Sequence, residues 1–100
     1  MMDYFYEDNR LYVLDDFLML SAEVLYPQID DSTVDLKRVY VSPILRGKGV
    51  ASEVMLEAYK TIKNKGFRVV PTCSYAIVWF KRHPEYQDIL VDKKTLNKSS

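Results

Sequence analysis

The sequence predicts a small α+β fold of the α/β class. An N-terminal antiparallel meander comes first, then a βαβ unit, then a short C-terminal helix. Three observations predict it. Short apolar and aromatic runs separated by turn signals fill the first forty positions. Apolar residues at helical spacing fill Gly49 to Lys65. A β-branched run, Phe67–Val70, follows directly. One hundred residues suffice for one core and leave little for a second. The expected organisation is therefore one domain over residues 1–92, with a basic, polar tail over 93–100 that frays.

The elements follow in order. Asp8-Asn9 is a turn between Tyr4–Glu7 and Arg10–Leu14, and Asp15-Asp16 is the next turn. Leu18–Tyr26 is a longer extended run ended by Pro27. Thr33–Val41 alternates untidily, as expected of a strand covered on both faces. The pattern then changes at Ser42-Pro43. Ala51, Val54, Met55, Ala58 and Ile62 form one helical stripe, with Glu53, Glu57, Lys60 and Lys63 opposite. Gly66 is a natural residue just past the helix end. A strand, helix and strand in succession predict a right-handed crossover and a parallel pair. Ser74, able to cap, opens a second helix that runs to about Arg82 and stops at Pro84. Tyr86–Val91 is expected to be extended.

The charge is unevenly placed. Residues 1–36 hold nine acids and one base, a net of −8. Residues 37–100 hold thirteen bases and five acids, a net of +8. A basic part in a neutral whole suits a bounded anionic ligand better than a long polyanion. The bases lie on several elements and not on one stripe, which argues against nucleic acid. The longest apolar run, Ala76 to Phe80, is too short to span a membrane. The acidic, aromatic start does not resemble a cleaved signal. One cysteine and one histidine exclude an intramolecular disulfide and the usual zinc site. A cytoplasmic location is the default expectation.

The densest chemistry lies between Leu45 and Ser52. Two of the three glycines, Gly47 and Gly49, stand there at a strand-to-helix transition. The first turn of a helix leaves backbone N–H groups unpaired at the positive end of its dipole. Arg46 and Lys48 add charge at the same point, so the segment reads as a phosphate or pyrophosphate site. It is neither a P-loop nor a dinucleotide fingerprint, because the spacing of the former and the distal acid of the latter are missing. The competing reading is a tight turn with solvated bases.

The segment Arg46-x-x-Gly49-x-Ala51 resembles the pyrophosphate motif of the Gcn5-related N-acetyltransferases, and the preceding Val39-Tyr40-Val41-Ser42-Pro43 is similar to that family as well. The stretch from Cys73 through Ala76 to Trp79 and Phe80 matches the later family frame, in which an Asn is followed by an Ala and an aromatic-Tyr pair. The pairs Val70-Pro71 and His83-Pro84 resemble the small YjdJ-like subgroup. The resemblance covers residues 5–91. It implies a minimal acetyltransferase fold in which Thr33–Val41 and Phe67–Val70 splay apart, and an activity that moves acetyl from acetyl-CoA to a primary amine. The backbone of Val39, Tyr40 and Val41 would hold the pantetheine arm. The amides of Gly47, Lys48, Gly49, Val50, Ala51 and Ser52 would hold the pyrophosphate, with Arg46 and Lys48 beside it. Lys81 or Arg82 would reach the adenosine end, and Cys73 and Phe80 would line the thioester end.

Two departures bear on mechanism. Phe80 stands where the family often has the Tyr that protonates the leaving thiolate. Arg38-Val39 stands where the subgroup usually has His-Thr, and an Arg is no base at neutral pH. Cys73 is the candidate replacement, as acid or nucleophile, against inert packing. His83, Tyr75, Tyr86 and Glu23 are weaker candidates. The alternative function is a CoA or acyl-CoA-binding module without catalysis. No residue names the acceptor amine, and monomer and homodimer both stay open.

Overall fold

The computed structural model describes residues 2–99. Four strands form an antiparallel sheet in the order β1 (Tyr4–Glu7), β2 (Arg10–Leu14), β3 (Leu20–Leu25) and β5 (Arg38–Val41). Asn9 takes a left-handed conformation in the first turn, and asparagine tolerates it. In the second turn Oδ1 of Asp15 accepts the N–H of Phe17 and of Met19. Leu18 is also left-handed there, at φ 63°. That backbone cannot join a ladder, so β3 starts at Leu20 and not at Leu18.

The expected strand Thr33–Val41 is two strands. β4 (Thr33–Leu36) pairs in parallel with β6 (Arg68–Pro71), while β5 pairs antiparallel with β3. The chain changes partner at Lys37. There Leu25 is opposite Arg38, and its carbonyl accepts the Lys37 N–H, so the neighbouring residues Lys37 and Arg38 are both exposed. This extra residue resets the alternation, which is why the pattern looked untidy in sequence.

Helix α1 (Val50–Asn64) crosses between the two sheets. Its stripe Val54, Met55, Ala58 and Ile62 is fully buried against Leu11, Ala22 and Val24 of the sheet. Val54, Met55 and Ile62 each contribute about 1.5–3 kcal/mol on burial, and Ala58 less. Gly66, at φ 80°, ends the helix: its N–H bonds Lys63 O, and the Phe67 N–H bonds Ile62 O. That pair of bonds is the Schellman arrangement.

Helix α2 (Ser74–Arg82) has the expected bounds, but Cys73 and not Ser74 is its cap, without a side-chain cap bond. Tyr86–Val91 is not extended. Pro84–Ile89 winds into a 3₁₀ turn, and only Leu90 makes a parallel bridge, to Val69. Lys93–Ser99, expected to fray, also forms a 3₁₀ turn, and Leu96 is buried in the core. Ser100 lies outside the described residues. Among the described residues no helix is long and apolar enough to cross a membrane.

Candidate active site

The fork between β5 and β6 positions the site. The Leu36 carbonyl accepts the N–H of both Thr72 and Cys73, each at 3.1 Å. These are the last backbone bonds between the parallel strands β4 and β6. Beyond them β5 stays with β3, and the chain after β6 turns into α2. β5 is therefore an edge strand on the side facing the gap. The Ser42 N–H bonds Ser21 O, one residue beyond the Ala22–Val41 pair. In an antiparallel ladder that phase turns the backbone groups of Val39 and Val41 outward, into the gap. Arg46 Nε donates to the Val41 carbonyl at 3.1 Å. The N–H of Val41 and both groups of Val39 stay on the uncovered edge.

A turn of Pro43–Leu45 carries the chain from β5 to α1. Gly47 and Gly49 have φ 81° and 78°. This is the backbone that L side chains resist, and a Cβ at either position would meet only open space. The glycines are thus needed for the turn, and they leave the space in front of it clear. Gly49 is the cap of α1 and provides no side chain to bond the first amides. The first helical bond runs from Glu53 N to Gly49 O. The N–H groups of Val50, Ala51 and Ser52 have no partner inside the helix. Ser52 turns its hydroxyl away, accepting the Trp79 indole N–H at 3.0 Å. That bond ties α1 to α2 and leaves the Ser52 amide pointing out of the helix start.

These features share one cavity of about 440 Å³. Of the residues expected to bind cofactor it brings together Val39, Tyr40, Val41, Arg46, Gly47, Gly49, Val50, Ala51 and Ser52. Leu45 and Tyr75 complete the lining. Lys48 and Lys81 are exposed and outside it. Phe80 is fully buried and belongs to the core, edge-on to Trp79. Cys73 is half-buried, packs against the core and starts α2. Its placement adjoins the fork, outside the cavity lining.

The other candidates separate by position. His83 stacks on Trp79, with Nδ1 2.7 Å from the Trp79 carbonyl. Tyr86 stacks on the same indole. Both belong to an aromatic cluster around Trp79, and neither lines the cavity. Glu23 is buried, and its two oxygens accept from Arg10 Nε at 2.6 Å and Arg38 Nε at 3.3 Å. Arg38 also lies over the Tyr40 ring. Both of its oxygens are thus engaged by guanidinium donors, outside the cavity lining. Tyr75 does line the cavity. Burial pushes its hydroxyl up, and the Arg82 charge pulls it partly back. It is a protonated donor at neutral pH. In the sequence Tyr75 is one of eight tyrosines. Its place on the first turn of α2, directly after the fork, was the available signal.

Comparison with known proteins agrees with this architecture. A family model described as GCN5-related N-acetyl-transferase matches residues 10–89. A GCN5-like candidate N-acetyltransferase from Staphylococcus aureus, solved by NMR, is similar at 22% identity. It superposes with a TM-score of 0.74 over 90% of this chain and 88% of its own. The GNAT family N-acetyltransferase YhbS from Escherichia coli, in complex with CoA, is 21% identical with a TM-score of 0.58. That match covers 69% of this chain and 42% of YhbS. A GNAT family acetyltransferase from Staphylococcus aureus Mu50 is 11% identical, at a TM-score of 0.56, over 78% of this chain and 48% of its own. The chain thus spans about half or less of the larger two. These likenesses concern the fold. No curated protein matches.

Proposed function

The chain belongs to the GCN5-related N-acetyltransferase family, and from that premise we propose that it binds acetyl-CoA in the fork cavity and transfers the acetyl group to a primary amine. One observation carries the reading: an uncapped helix start behind two left-handed glycines opens onto the uncovered edge of β5. A pyrophosphate fits the first feature, since it needs several N–H donors and positive potential. An amide-bearing arm fits the second, since it pairs as an added strand would. Both features line one cavity.

Acetyl-CoA supplies an activated acetyl thioester. The protein's part is to bind, orient and manage protons. The amides of Val50, Ala51 and Ser52 and the Arg46 guanidinium hold the diphosphate. Val39 and Val41 align the arm toward the fork. The acceptor nitrogen, having lost one proton to become a free amine, forms the C–N bond as the C–S bond breaks. Its remaining surplus proton leaves, and the thiolate gains one. Phe80 has no proton to give, so the donor is the Tyr75 hydroxyl or water. Holding the reactants in place supplies much of the acceleration in such a site. Within the family this reading keeps the chain near the small YjdJ-like proteins, and it carries a cytoplasmic location with it.

The experiment is a thermal-shift titration with acetyl-CoA, followed by thiol release against amine panels. Stabilisation and amine-dependent thiol release support the transferase. Stabilisation with background release for every amine supports the alternative, a CoA-binding module. No stabilisation refutes both.

A further inference from the structure

We propose that Asp35, held by Thr72 at the base of the fork, is the carboxylate that receives the acceptor's protonated amine. The inference rests on the transferase reading and names the part of the site that takes the second substrate. Val34 and Leu36 are fully buried, so strand alternation puts Asp35 on the opposite face of β4. It is directly paired with Val70. Two residues on, Thr72 lies on that same face and is exposed. Its hydroxyl donates to Asp35 Oδ1 at 2.6 Å. This bond links the two strands one step before the Leu36 carbonyl makes the last backbone bonds between them. Asp35 is therefore the acidic group at the point where the halves part.

The chemistry of the bond matters. A carboxylate has about four acceptor sites, and Thr72 takes one of them while fixing the plane of the group. Thr72 is the side chain that bonds Asp35, and Asp35 is itself partly exposed. A protonated amine needs such a group, since an ammonium offers donors and charge together. Glu23, the other carboxylate near β5, is already neutralised by Arg10 and Arg38. Arg10 is also paired with Glu7, so the two arginines and two glutamates together carry no formal net charge. The remaining acids of the N-terminal third lie on turns or outer strand ends, away from the parting strands, apart from Asp35 itself. An unhindered primary amine fits this position. Val39 lines the cavity, and Asp35 stands four positions before it on the chain, outside the lining and beside the fork.

The test uses n-butylamine as the probe, with n-butanol as its uncharged counterpart. Wild-type protein is titrated with each, with and without saturating CoA, and amide resonances are followed. CoA affinity is measured separately beforehand, so failure of the transferase reading shows as absent CoA binding. The amine titration still reports on Asp35 in that case. The expected result is a saturable shift at Asp35, Leu36 and Thr72 with butylamine and none with butanol. Asp35→Asn keeps the bond from Thr72 and removes the charge, and it weakens amine binding about tenfold while CoA affinity is unchanged. Thr72→Val frees the carboxylate and weakens it about threefold. Equal amine affinity in wild type and Asp35→Asn overturns the proposal. So does a response located elsewhere, or no saturable response in wild type.

Discussion

The N-terminal meander and the fork treat their polar groups in opposite ways. In the meander, β2 and β3 are paired on both edges, and the buried Glu23 is matched by two arginines. The Tyr6 hydroxyl is bonded to Glu57 of α1. In the fork half, the outer edge of β5 faces a cavity, α1 starts without a side-chain cap, and two glycines hold backbone other residues avoid. Polar groups closed on one another build structure. Those left open toward one cavity wait for a ligand, because leaving them unpaired away from water is costly. The zero net charge of the chain hides this division, since the acidic third is largely the closed half and the basic remainder the open one.

The contrast breaks most sharply at Gly49. Gly49→Glu places a side chain in the clear space ahead of α1 and a negative charge at the proposed diphosphate site. Acetyl-CoA affinity is expected to fall about 100-fold or more, read by calorimetry. Holding a non-glycine residue at φ 78° also costs about 1–2 kcal/mol of stability. Circular dichroism confirms that the variant is folded before binding is measured. Unchanged affinity would show that the glycine turn is structural only.

A smaller effect is expected at Tyr75. Tyr75→Phe removes the one cavity-lining hydroxyl placed beyond the fork on α2. If that hydroxyl protonates the leaving thiolate, kcat falls about 100-fold while the KM for acetyl-CoA stays put. A kcat within about threefold of wild type assigns the proton to water.

The smallest effect belongs to the closed half. Burial first, then the carboxylates of Glu53 and Glu57, raise Tyr4 to about 12. Burial and the hydrogen bond to Glu57 raise Tyr6 to about 12 as well. The unfolded chain loses these protons near 10, before the folded protein does. Their contribution is therefore full below pH 10 and is lost as pH rises toward 12. Tyr6 is half exposed, so solvent screening keeps its share to well under about 1 kcal/mol. Denaturant midpoints across that range, with tyrosinate absorbance, check the sign. Acetyl-CoA affinity, referred to the folded fraction, should not follow the same curve.

Much of this was legible in the sequence because local rules dictate it. The helical stripe on α1, Gly66 as its stop and the turn at Asp8-Asn9 are short-range signals, and the fold obeys each. The family motif around Arg46 and Gly49 located the cavity floor for the same reason. What could not be read is what depends on distant partners. The division of Thr33–Val41 arises because β3 and β6 compete for one run of chain. The 3₁₀ turn of Pro84–Ile89 forms against Tyr59 and Lys63 of α1, which bond Asp88. Asp35 and Thr72 stand 37 positions apart and meet only once the parallel pair has formed. Phe80 matched a motif position, yet the core takes its ring entirely.

The central claim is that the open half is an acetyl-CoA site, and calorimetric titration of the full chain with acetyl-CoA tests it most directly. The account predicts saturable binding at one site per chain, abolished or strongly weakened by Gly49→Glu. Absence of binding to the folded wild-type protein, or equal binding to both proteins, would contradict it.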